Sequence, residues 1–212
     1  MKIQGVKFDC TGFLLEGRLS VPEGTGPFTT VIVCHPHPLY GGNMDNNVVV
    51  TITDSLSKAG ISSLRFNFRG VGNSGGSYGH GIGEQEDVKA ALKFLTATPE
   101  VKPDSIGLIG YSAGASFALP IGAQDERIKI LGAISPTIST TDLSYLENCL
   151  KPKILISGSL DNFTPTDVFL SFCQQLTEPK KYLIIEGADH FWSGFEVKLA
   201  AHVTRFFTSA FK

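Results

Sequence analysis

Few features of this sequence favour a charged partner, a metal or a membrane. Lys, Arg, Asp and Glu make up only 18% of the 212 residues, and 18 basic against 20 acidic side chains leave a formal net charge of -2. Such a balance provides no cationic field to collect phosphates and release their counterions, so nucleic acid is not an expected partner. The four cysteines, Cys10, Cys34, Cys149 and Cys173, form no metal-type CxxC pair. A chain of this length can bury a core without disulfide staples, so they are read as reduced thiols. No segment reaches the roughly 20 apolar residues that cross a bilayer. The opening MKIQGVKFDC has neither an apolar h-region nor a small-residue cleavage site. The expectation is a cytoplasmic protein with no membrane partner. Repeats, low-complexity tracts and Pro/Gly/Ser-rich linkers are also missing, which leads us to expect one domain over residues 1–212.

What is present is a 42% apolar content distributed in a regular rhythm. Two strand-like segments, residues 3–9 and 13–21, flank Thr11-Gly12 and suit an antiparallel hairpin at a sheet edge. Short apolar runs follow at residues 30–34, 63–68, 106–109, 130–134, 154–157 and 182–185. Most lack polar alternation, as expected of strands covered on both faces. Helical periodicity links Val88, Ala91, Leu92 and Leu95, then Phe169, Phe172, Cys173 and Leu176, and finally Leu199, Val203, Phe206, Phe207 and Ala210. Glu84, Glu86 and Asp87 lead the first of these, where carboxylates favour a helix N-terminus. Strands alternating with helices imply an α/β fold, a three-layer sandwich with a mostly parallel central sheet. Ligands of such sheets bind beyond the carboxyl ends of the strands, so chemistry should be sought just after the apolar runs.

After the run 106–109 comes Gly110-Tyr-Ser112-Ala-Gly114, then a helix-compatible stretch. A G-x-S-x-G between strand and helix is a turn too tight for a Cβ at either glycine, and it lifts the serine hydroxyl clear of the sheet. The bland alternative is a small-residue turn with Ser112 as a helix N-cap. Two more strand ends weigh against it. The run 154–157 leads to Asp161, and the run 182–185 leads to His190. Nucleophile, acid and base thus occur in the chain order Ser, Asp, His, each at the end of a successive strand. Asp189 is adjacent to His190 and poorly placed to reach its ring, while Asp142 and Asp167 read as helix-start residues. His202 falls within the last helix, and His80 has no partner signal. The pair in His35-Pro-His37-Pro has no third ligand at a recognisable spacing, so no metal or other cofactor is expected. That loop suits an oxyanion hole better. Ala113 N–H would supply one donor and His37 N–H the other, with Leu39 or the Tyr40 hydroxyl as alternatives. The glycine-rich stretch 65–76 lacks a helix-opening phosphate motif and reads as a structural loop fixed by Arg69 and Ser74.

These residues resemble the α/β-hydrolase superfamily, and more closely its small bacterial members without a lid. The resemblance rests on His35-Pro-His-Pro-x-x-Gly-Gly42, Arg65-Phe-Asn-Phe-Arg-Gly-x-Gly-x-Ser74, Gly110-x-Ser-x-Gly114, Asp161 and His190, and spans nearly the whole chain. Many members have an aspartate where this chain has Asn67. The resemblance implies an α/β-hydrolase fold without a large cap, because too few residues separate the runs at 134 and 154. It also implies an open pocket, with Tyr40, Phe163, Phe191 and Trp192 placed to line it as substrate-binding residues. The expected activity is hydrolysis of small carboxylic esters through an acyl-Ser112 intermediate, with thioesters or small peptides as the alternative. A different class is a non-catalytic binding protein on the same fold. The expected partner is a small-molecule ester; the sequence does not set the oligomeric state.

Overall fold

The structure, a computed structural model, describes residues 1–212. The strands are β1 (Lys2–Cys10), β2 (Phe13–Val21), β3 (Phe28–Cys34), β4 (Ser62–Phe66), β5 (Val101–Tyr111), β6 (Ile128–Ile134), β7 (Lys153–Gly158) and β8 (Lys180–Ile185). The helices are α1 (Asn47–Lys58), α2 (Ile82–Thr96), α3 (Ala113–Gln124), α4 (Thr166–Gln175) and α5 (Glu196–Ala210). All eight strands join one sheet in the order β1-β2-β4-β3-β5-β6-β7-β8. The β1–β2 and β2–β4 pairs are antiparallel, and every other pair is parallel. The hairpin turns at Thr11 (φ 48) and Gly12 (φ 99), two left-handed residues whose twist matches the flanking strands. This is the α/β-hydrolase fold.

Alternation along each strand splits the core in two. On β5, Ile106 and Leu108 face the layer of α2, α3 and α4, with Leu92, Phe117 and Phe169. Ile109 and Tyr111 face the layer of α1 and α5, with Val48, Ile52, Leu56, Val203 and Phe207. Each such fully buried side chain contributes about 1.5–3 kcal/mol. Between β6 and β7 the chain makes only a 3-10 turn, Ser144–Leu146, and no cap domain. No helix is long and apolar enough to cross a membrane.

Helix α1 has no counterpart in the sequence expectations, because its segment Val48-Val-Val-Thr-Ile-Thr53 is β-branched and resists helix by local propensity. Tertiary burial overrides that preference. Val48, Val49, Ile52 and Leu56 all pack inward, and the Asn46 side chain caps the start by accepting the Val48 N–H at 3.0 Å.

The loop after β4 is tied down as the sequence suggested. Arg69 Nε and Nη2 donate to Asp87 Oδ1 on α2 at 2.9 and 2.7 Å, and its backbone N–H donates to Oδ2 at 2.9 Å. Ser74 Oγ donates to the Asn67 carbonyl at 2.7 Å and accepts the Glu16 N–H at 3.1 Å. Asn67 explains itself here. Its Nδ2 donates to Glu16 Oε1 at 2.7 Å while Oδ1 accepts the Met44 N–H at 2.7 Å. An aspartate at that position would set two carboxylates face to face.

Candidate active site

The end of β5 runs into Ser112 at φ 55 and ψ −126, a left-handed conformation that a non-glycine residue holds only when its surroundings enforce it. The enforcement is steric. A Cβ on Gly110 would lie 2.4 Å from the Ala115 backbone, and one on Gly114 would lie 2.3 Å from the His35 carbonyl. Ser112 N–H is anchored to the Ile134 carbonyl of β6 at 2.8 Å. Its side chain makes no capping bond to α3. The Oγ–H instead donates to His190 Nε2 at 2.9 Å.

His190 follows β8, and its carbonyl accepts the Tyr111 hydroxyl at 2.8 Å. Its Nδ1 lies 3.0 and 2.9 Å from Asp161 Oδ1 and Oδ2. A proton on Nδ1 donated to that carboxylate leaves Nε2 free to accept from Ser112. Asp161 sits after β7, where Oδ1 also accepts the N–H groups of Phe163 and Thr164 at 3.0 and 3.3 Å. Burial opposes the charged form of Asp161, but the His190 contact, the Ser135 side chain and the Phe163 amide outweigh it. The carboxyl therefore stays below the usual aspartate range. All three residues are buried, with exposures of 7, 4 and 6% for Ser112, Asp161 and His190. Asp189 spends its carboxylate on the N–H groups of Phe191 and Trp192 and does not reach the ring.

Ala113, next to Ser112, opens α3, so its N–H has no acceptor one turn back. In the 36–42 loop the amides are accounted for one by one. Leu39 N–H donates to His37 Nδ1, Tyr40 and Gly42 N–H to the His37 carbonyl, and Gly41 N–H to the Pro38 carbonyl. Pro36 and Pro38 have none. His37 N–H is left without a protein acceptor, and His37 lines a cavity that also holds Ser112 and His190. That cavity, about 350 Å³, is lined by Ser112, His190, His37, Tyr40, Phe163 and Phe191 among others.

Trp192 is not among them, and its assignment to the pocket is corrected. The chain takes φ 64 at Trp192, which sends the indole inward to zero exposure among Ile156, Ala188 and Leu199, while Phe191 stays outside at 60%. The indole Nε1–H donates to Ser135 Oγ at 3.1 Å. Asn46 and Tyr111 also line the cavity, and sequence reasoning passed over both. An asparagine immediately before an apolar run was the available signal for the first.

Both histidines of the 35–38 loop are spent on structure. His35 Nδ1 donates to the Pro36 carbonyl at 2.7 Å while Nε2 accepts the Phe68 N–H at 3.1 Å. His37 Nδ1 accepts the Leu39 N–H at 3.2 Å, so its Nε2–H donates to the Tyr78 hydroxyl at 3.1 Å. No three His, Cys, Asp or Glu side chains gather as a metal site.

Burial pushes His35 down to about 4 from an ordinary 6.5. The unfolded chain therefore takes up a proton that the fold refuses. Stability is full above about pH 6.5 and declines as the pH falls to about 4, a loss on the order of 3 kcal/mol from this residue. Urea midpoints measured from pH 7 to pH 4 should fall across that window. The His35→Gln variant, weaker at pH 7, should show a shallower decline; an equal slope would remove His35 as the cause.

Known proteins resemble this chain in sequence and in fold. Residues 83–194 match the model of the dienelactone hydrolase family. An uncharacterized protein of Rickettsia prowazekii is 36% identical over 84% of this chain and 77% of its own length. The thiohydrolase aneE of Aspergillus aculeatus is 30% identical over 61% of this chain, which spans only 40% of that relative. Among solved structures, an alpha-beta serine hydrolase homologue from Coxiella burnetii superposes with a TM-score of 0.88 at 31% identity, covering 97% of both chains.

Proposed function

Given that the chain is an α/β hydrolase and belongs to the dienelactone hydrolase family, we propose that it cleaves small carboxylic esters through an acyl-Ser112 intermediate. The observation that carries this reading is the 2.9 Å approach of Ser112 Oγ to His190 Nε2, with Asp161 at 2.9 Å behind the ring. His190 takes the serine proton as Oγ attacks the carbonyl carbon. Asp161 holds the imidazole tautomer and stabilises the imidazolium. The N–H groups of Ala113 and His37 receive the oxyanion of the tetrahedral intermediate. His190 then returns its proton to the departing alcohol and activates water to release the acid.

The relative named a thiohydrolase favours a second reading, thioester cleavage on the same three side chains. A panel of matched acyl donors separates the two. Acetyl and butanoyl groups carried by p-nitrophenol, by ethanol and by N-acetylcysteamine should be turned over at measurable kcat/KM. An oxygen-ester preference, once intrinsic leaving-group reactivity is divided out, is the expected result, and a thioester preference would move the assignment to the second reading. Failure on every donor would leave neither.

A further inference from the structure

The geometry points to Asn46 as a specificity-determining residue that selects a neutral acyl group carrying a hydrogen-bond acceptor, such as an oxo, hydroxyl or ether oxygen, beyond the ester carbonyl. This rests on the hydrolysis proposed above. A tetrahedral carbon on Ser112 has three other substituents to place. The oxyanion goes to the Ala113 and His37 amides, and the leaving oxygen must lie by His190 Nε2, which protonates it. Phe163 and Phe191 pack on that imidazole, with ring centroids 4.3 and 5.6 Å from it, so the alcohol departs along them. The acyl group is left the rest of the cavity lining, a wall that includes Tyr40, Gly41, Gly42 and Asn46.

On that wall the glycines present bare backbone, and Asn46 brings the polar side chain. Its orientation is fixed, because capping α1 requires Oδ1 to accept the Val48 N–H at 3.0 Å and so turns Nδ2 the other way. Nδ2 has no hydrogen-bond partner in the protein and is not buried. The other polar groups of the cavity are committed. The Tyr111 hydroxyl donates to the His190 carbonyl, and both nitrogens of His37 are engaged. Tyr40 is 87% exposed, which leaves its hydroxyl to water at the rim. No Lys, Arg, Asp or Glu lines the cavity. A carboxylate or ammonium on the acyl group would lose water there without gaining a counter-ion. A donor that an acyl chain covers without answering is likewise left unpaired, which is how such a site rejects a purely aliphatic chain.

Phenyl esters keep the leaving group constant. Phenyl butanoate, its isostere phenyl methoxyacetate, and phenyl 3-oxobutanoate are compared with the succinate half ester on the wild type and on Asn46→Asp and Asn46→Ser. Both replacements retain a helix-capping oxygen; aspartate removes the donor and serine shortens the side chain, without a new charge. The readout is the kcat/KM of each acceptor-bearing ester relative to butanoate, which cancels intrinsic reactivity when wild type and variant are divided. In both variants that relative value should fall about tenfold for at least one acceptor-bearing ester, and the wild type should handle the anionic half ester at least about tenfold worse than butanoate. A ratio unchanged within twofold in both variants, or a preference for the half ester, would overturn the role of Asn46 while leaving hydrolysis standing. A wild type inert toward all four esters would instead remove the reading on which it rests.

Discussion

Replacing Ser112 with alanine should lower kcat toward p-nitrophenyl butyrate by roughly 10⁴- to 10⁶-fold, the loss expected if its hydroxyl is the nucleophile. The fold should survive the change. Alanine and serine have the same Cβ, so the strain at φ 55 is no greater in the variant, and the Ser112 N–H keeps its bond to the Ile134 carbonyl. Substrate binding should change little, because the cavity loses a single oxygen. A circular dichroism melt beside the assay separates chemistry from unfolding. A variant that retained the wild-type rate would mean that the Ser112 hydroxyl is not the attacking group.

Asp161→Asn is expected to cost roughly 10³- to 10⁴-fold in kcat through a tautomer rather than through a contact. Asp161 Oδ1 accepts the N–H groups of Phe163 and Thr164, and asparagine satisfies both amides only by placing its own oxygen there. Its NH₂ then faces His190 Nδ1, which must become an acceptor. The ring proton moves to Nε2, and Nε2 is no longer able to take the proton of Ser112. The fold should lose far less, since the same amides remain capped. Measured kcat at pH 8, with Tm as the control, tests this. A loss below about tenfold would show that the carboxylate does not set the tautomer.

The architecture was legible wherever a strand is covered on both faces, because burial demands continuous apolar runs and these announce themselves. The turn after β5 was legible for a related reason. Sterics at Gly110 and Gly114 exclude every other residue, so geometry is written directly into composition. Helix α1 was not. Its β-branched residues have low helix propensity, and only the partner surface of α5 and the sheet makes it a helix. Missing α1 also hid Asn46, which lines the cavity because it caps that helix. Phe191 and Trp192 show a different limit. Neighbours in sequence and alike in character, they take opposite sides of the loop because one residue adopts φ 64, and no periodicity in a loop announces such a choice. The choice of donor in the 36–42 loop is intermediate: proline chemistry excluded two amides in advance, while the fates of Leu39, Tyr40, Gly41 and Gly42 required coordinates.

The central claim is that the Ser112 hydroxyl is made nucleophilic by an imidazole 2.9 Å away. It is tested most directly by treating the folded protein with a fluorophosphonate and mapping the modified peptide by mass spectrometry. The account predicts stoichiometric phosphonylation at Ser112, abolished in Ser112→Ala and slowed by orders of magnitude in His190→Ala. Rapid labelling at another residue, or no labelling of a protein that melts cooperatively, would contradict it.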